Sequence, residues 1–107
     1  MATVTKTQAY HGTLTANTVD TVTISGLYGA YRILCRENVA NTELYFTVAQ
    51  GSTPTAPTVA GDNTYVIPAL DGTYVDIDFK NAFKGVTISL IAGNACKYSI
   101  MGLGPVR

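Results

Sequence analysis

Residues 73–79 read Thr-Tyr-Val-Asp-Ile-Asp-Phe, and their strict alternation of apolar and polar side chains decides the fold class. Successive side chains of an extended chain point to opposite faces, so Val75, Ile77 and Phe79 share one face and Tyr74, Asp76 and Asp78 the other. A helix would scatter the same residues around its circumference. The two-residue period recurs on both sides of this stretch. Downstream, Val86, Ile88 and Leu90 alternate through 86–92, and Cys96, Tyr98 and Ile100 through 95–101. Upstream, the inward sets are Leu44, Phe46 and Val48 in 43–50, Tyr31, Ile33 and Cys35 in 30–36, and Val22 and Ile24 in 18–25. Short runs at 64–67 and 13–16 complete the pattern, and no stretch carries a helical period.

The connections are equally legible. Gly, Asn, Asp and Pro punctuate every run. Residues 51–63 form the longest loop, stiffened by Pro54 and Pro57. Residues 64–67 read as a short strand ended by Pro68, which cannot donate to a central ladder. Residues 37–42 read as a hairpin loop and Gly93-Asn94 as a tight hairpin turn. Seven or eight short strands at this spacing predict an all-β domain over residues 13–102, a single antiparallel β-sandwich of jelly-roll or immunoglobulin-like type ahead of a small barrel. Residues 1–12 and 103–107 hold little apolar content. They are expected to be loose tails, the first a flexible arm able to order on a neighbour.

At 107 residues the chain is one domain, long enough to bury about two-thirds of its surface. A 47% hydrophobic composition with zero net charge argues against disorder. Seven basic against seven acidic residues leave no electrostatic footprint for nucleic acid. No apolar run approaches the ~18 residues of a membrane span, and no export signal is recognisable, so synthesis in a reducing cytoplasm is expected. The charged fraction is only 13%, against about 25% in an ordinary domain. Threonine takes its place, with 16 residues. Such a surface is poorly protected against association, which suits a protein normally covered by partners in a repeating assembly.

Little catalytic chemistry is on offer. The single histidine, His11, falls in the expected N-terminal arm, and a catalytic arrangement would need a structured scaffold to bring it over a nucleophile. No phosphate-binding or dinucleotide motif is present, so no enzyme activity, metal or cofactor is expected. Cys35 and Cys96 both take inward parity and read as buried free thiols. Asp76 and Asp78 point the same way and could hold calcium with Asp62 or Asp71, or simply face solvent. The outward tyrosines Tyr28, Tyr45 and Tyr74, the arm residues Tyr10 and His11, and the loop residues Pro54 and Pro57 are the candidate interface.

The block ELYFTVAQGSTPTAPTVAGDNTYVIPALDG at 43–72 resembles a group of short β-rich structural proteins of tailed bacteriophages, especially those of actinobacteria. TANTVDTVTISG at 15–26, YRILCREN at 31–38 and VTISLIAGNACKYSIMG at 86–102 fit the same pattern. Ala49-Gln50 before Gly51, and the two cysteines, depart from it. The resemblance implies a virion protein made in the host bacterial cytoplasm, foremost a capsid decoration protein that binds the major capsid protein on the outside of the mature head. A homotrimer or other symmetric cluster is the expected self-association, with a head–tail connector or tail component as the alternative. A shorter stretch, YFTVAQGSTPT, is also similar to small β-sandwich domains attached to chitin- and hexosamine-degrading enzymes, which would make host glycans the partner.

Overall fold

The computed structural model describes residues 1–38, 42–68, 70–79 and 84–104. Among these, nine strands form two sheets: β1 Thr3–Lys6, β2 Ala9–Leu14, β3 Asp20–Ile24, β4 Ala30–Glu37, β5 Leu44–Gln50, β6 Tyr65–Ile67, β7 Tyr74–Asp78, β8 Val86–Ala92 and β9 Cys96–Leu103. The first sheet runs β1-β3-β8-β5-β6 and the second β2-β9-β4-β7. Strands pair from the outside of the sequence inward: β2 with β9, β3 with β8, β4 with β7 and β5 with β6, all antiparallel. This nesting is one long hairpin rolled over on itself, the jelly-roll form of the β-sandwich. The class expected from alternation is therefore the class observed, and β7 lies where its decisive stretch was read.

The inward parities assemble one core. Tyr31, Ile33, Cys35, Leu44, Phe46, Val86, Ile88, Leu90, Tyr98 and Ile100 are all buried in a single cluster. Val75, Ile77 and Phe79 pack against it from the edge strand β7, half-covered. A polar link also crosses the sandwich. The Tyr98 hydroxyl, on β9, donates to Asp20 Oδ2 on β3 at 2.9 Å, and the Ala2 amide donates to Asp20 Oδ1 at 2.9 Å. Both carboxylate oxygens of this buried aspartate are thereby satisfied, as burial of a charge demands.

Several local expectations are overturned. The N-terminal stretch is no loose arm. β1 lies parallel to β3, from Thr3 beside Thr21 to Lys6 beside Ile24, and β2 pairs with β9 along its whole length. Apolar content understated this segment because backbone ladders hold it together with only a few side chains, Val4 and Tyr10 packing against the core that Leu14 enters. Gly12 and Leu14 are buried. Residue 103 likewise belongs to β9, while residues 105–107 of the expected C-terminal tail lie outside the described residues.

Nor are the two expected hairpins hairpins. β4 and β5 belong to different sheets, as do β8 and β9. The stretches 37–42 and Gly93-Asn94 therefore carry the chain from one sheet to the other, with residues 39–41 outside the described set. Turn residues signal a reversal without stating which strand follows in the ladder.

Two glycines make room for rings on the inner side of the second sheet. A Cβ at Gly102 would fall 2.1 Å from Tyr28 Cδ2, and one at Gly12 would fall 2.7 Å from the Tyr10 and Tyr98 rings. Gly102→Ala is expected to displace Tyr28 and destabilise the domain by about 1–3 kcal/mol, the usual range for overpacking. Urea unfolding of the two proteins measures it, and an unchanged midpoint would mean that Tyr28 yields freely.

Candidate functional site

The sandwich has two broad outer faces of opposite character, and on the first the central residues Thr87, Ser89 and Ile91 are themselves buried among their neighbours. The first sheet's outer face is built of three cross-strand rows. One runs Thr3–Thr21–Ser89–Thr47, the next Thr5–Thr23–Thr87–Ala49, and the third Ile91–Tyr45–Val66. None of these side chains carries a charge. Hydroxyls in neighbouring strands satisfy one another: Thr23 Oγ1 lies 2.8 Å from Thr87 Oγ1, and Thr21 Oγ1 lies 3.3 Å from Ser89 Oγ. Branched and hydroxyl side chains suit a pleated, half-covered surface, which explains why threonine fills these positions.

The second sheet's outer face gathers the charge. Its rows are His11–Ser99–Leu34–Tyr74 and Ala9–Met101–Arg32–Asp76. The Arg32 guanidinium binds both Asp76 oxygens, at 2.8 and 3.0 Å, and lies 4.0 Å over the centre of the Tyr74 ring. Lys97 and Glu37 approach within 3.7 Å. Arg36, beside a register shift in β4, donates to the backbone carbonyls of Tyr98 and Gly12 and ties β4 to β9 and β2. With Asp76 engaged by Arg32, the Asp76–Asp78 pair is not free to take a cation. Among the described residues no three of His, Cys, Asp and Glu gather as metal ligands.

The candidate interface residues do not form one surface. His11 and Tyr74 sit at opposite ends of one row on the charged face, and Tyr45 lies on the other sheet, its hydroxyl donating to Glu43 at 2.7 Å. Tyr10 is half-buried against Tyr98, ring centres 6.2 Å apart. Tyr28 fills the notch over Gly102 and meets Tyr31 edge-on at 5.9 Å. Both therefore serve packing rather than presentation. Pro57 is buried and Pro54 half-buried in the long loop.

His11 does meet a hydroxyl: its Nδ1 lies 2.6 Å from Ser99 Oγ. Ser99 is 1% exposed, so no substrate carbonyl can approach that oxygen, and the contact joins β2 to β9.

A concavity lies beside the long loop. The β6 ladder ends at Phe46 opposite Tyr65, leaving the rest of β5 without a strand partner on that side. Residues 53–64 fold over this edge, and the Thr47 hydroxyl donates to the Thr55 carbonyl at 2.6 Å. Between loop and edge lies a cavity of about 510 Å³, lined by Thr47, Val48, Thr53, Pro54, Thr55, Ala56, Thr58, Asp62, Asn63, Thr64 and Tyr65. Tyr65, Asp62 and Asn63 were not among the candidate interface residues. The one signal that could have raised them is the clustering of an acid, an amide and an aromatic in Asp62-Asn63-Thr64-Tyr65.

Compared with known proteins, the sequence matches no family model and no curated protein at a significant level.

Both cysteines are buried and free, as their parity implied. Burial pushes the Cys96 thiol from the ordinary 9.0 up to about 11, with smaller contributions from Cys35 and Asp20. Burial, followed by its bond to Asp20, raises the Tyr98 phenol well above its usual 10.0. Each group is held neutral by the fold but ionises sooner when unfolded. Their stabilisation is thus complete below pH 9 and declines as pH rises through 9–11. The melting temperature is expected to fall progressively across that window. At pH 8, iodoacetamide is expected to label both cysteines in urea and neither in native buffer. Rapid native labelling, or a flat pH profile to pH 11, would contradict the buried environment.

Proposed function

We propose that this chain is a bacteriophage virion structural protein, a capsid decoration protein that docks the outer face of its first sheet on the major capsid protein of the mature head. The observation that carries this reading is the partition of charge: the strand residues of one sheet face lack it, with Glu43 bonded to Tyr45 at the margin, while the other face concentrates arginine, lysine and aspartate. A broad face without charge suits burial, since unpaired charges are costly to desolvate. Its hydroxyls already bond to one another, so covering them strands few polar groups. The opposite face, with its ion pairs, suits permanent exposure to water.

A rigid sandwich of this kind stabilises a shell by binding the mature lattice in preference to its precursor. Many copies, each with a modest interface, add their contributions around the head. Symmetric clustering, as a trimer at three-fold positions, places identical faces on identical neighbours. With residues 1–14 committed to β1 and β2, the sheet face rather than a free arm carries the attachment in this reading.

Quantifying the protein against the major capsid protein in purified virions tests the role. A fixed stoichiometry near one per capsid subunit or per capsomer is expected, and a handful of copies or none would overturn it. Binding of purified protein to undecorated mature heads tests the face. Thr23→Lys combined with Thr47→Lys is expected to weaken binding by at least about tenfold, while Arg32→Ala on the opposite face leaves it unchanged. The reverse ranking would assign attachment to the second sheet.

A further inference from the structure

We infer that the cavity between the β5 edge and loop 53–64 is a saccharide-binding site, with Tyr65 as the platform for a sugar ring and Asp62 and Asn63 as its hydroxyl-binding groups. The inference is independent of the virion reading, because it concerns the chemistry of one cavity on the isolated domain.

Tyr65 is the first argument. It is 50% exposed, and its ring stacks on Phe46 with centres 5.1 Å apart and planes 17° apart. One ring face is thus fixed against the core, which holds the other outward as a flat apolar surface. A pyranose offers such a surface its C–H bonds, while its hydroxyls project around the rim and require polar partners.

The rim supplies those partners. Asp62 and Asn63 are exposed, and neither makes a hydrogen bond among the described residues, so a planar acceptor and a planar donor–acceptor are both unengaged. Threonine hydroxyls at 53, 55 and 58 extend the polar lining. The composition also discriminates between ligand classes. The lining contains no lysine, arginine or histidine, which disfavours phosphate, sulfate or sialic acid. A single carboxylate is too few oxygen ligands for a calcium site, and the hydroxyl-rich lining is too polar for a lipid or an apolar drug-like molecule. A neutral polyhydroxylated ring meets every condition, and about 510 Å³ is within the range of small-ligand sites.

The site is also preformed. The Gly61 amide donates to the Thr58 carbonyl at 3.0 Å, and the Thr64 hydroxyl donates to the Gly61 carbonyl at 2.8 Å. Pro57, within the loop, is buried. Ala60 and Asn63 sit at φ 56° and 61°, in the left-handed region. Asparagine tolerates that conformation, but an alanine holds it only where its surroundings impose it, so Ala60 marks the constraint. A loop tied in this way loses little freedom when a ligand arrives, which favours weak ligands such as sugars.

The test is a titration of the ¹⁵N-labelled domain with a panel of neutral saccharides: glucose, galactose, mannose and N-acetylglucosamine disaccharides, with sialyllactose and a heparin disaccharide as charged controls. At least one neutral member is expected to shift the amides of residues 62–65 saturably. Tyr65→Ala is expected to weaken that binding by about tenfold or more. Asp62→Ala, an exposed change that spares the core, is expected to weaken it as well, and Tyr45→Ala is expected to leave it unchanged. The inference is overturned if no neutral saccharide moves these amides, if only the charged controls bind, or if Asp62→Ala and a folded Tyr65→Ala bind as tightly as the parent. Failure here leaves the virion stoichiometry untouched, and failure of the stoichiometry leaves this titration untouched.

Discussion

Each sheet has one apolar face, and the only surface able to cover it is the apolar face of the other sheet. That constraint organises the molecule. Among the nine described strands, every connection but the one from β5 to β6 carries the chain across from one sheet to the other. Both halves of the sequence thereby contribute strands to both layers. The ladder is dominated by partners distant in sequence, and the core closes only when the outermost strands of the nested hairpin, β2 and β9, have met. Asp20 and Tyr98 reinforce this closure, because their hydrogen bond joins a strand of one sheet to a strand of the other deep in the sandwich. Such folds form more slowly than local ones, since loop closure must precede the contacts that reward it.

The same layering creates the contrast between the two outer faces. Once the inward positions are filled, the outward positions are free to diverge, and here they do so by sheet. Threonine and serine take the first sheet, with hydroxyls bonded across strands, while the second carries the Arg32–Asp76 pair and its neighbours. The long loop stands at the single place where consecutive strands share a sheet. Because β6 is only three residues long, the loop must cover the remainder of β5 itself, and the cavity beneath it follows from that mismatch in strand length.

The distribution of aromatic residues explains why the candidate site was only partly legible. Alternation assigns a ring to a face but not to a layer's edge or centre. Tyr10 and Tyr28 have the look of presented rings in a tail and a turn, yet each fills space left by a glycine, Tyr10 by Gly12 on its own strand and Tyr28 by Gly102 on β9. Tyr65 shares its parity with inward residues, and it is half-exposed only because it starts a short edge strand. Tyr74 and His11, far apart in the chain, share a row because β7 and β2 flank the same pair of central strands. None of these placements leaves a mark in the local sequence.

What the sequence determined alone is the seven strands β3 to β9 and the inner face of each. These are consequences of a two-residue period acting locally, and from Val22 to Ile100 the residues read as inward do face the core, fully or partly covered. Threonine in place of charge likewise announced a surface unlike that of an ordinary free domain. Only the tertiary structure decided which strand lies beside which, that the N-terminal residues are two strands rather than an arm, and that 37–42 and 93–94 cross between sheets. Strand pairing is set by burying all the inward faces at once. That condition belongs to the whole chain, and no single stretch encodes it.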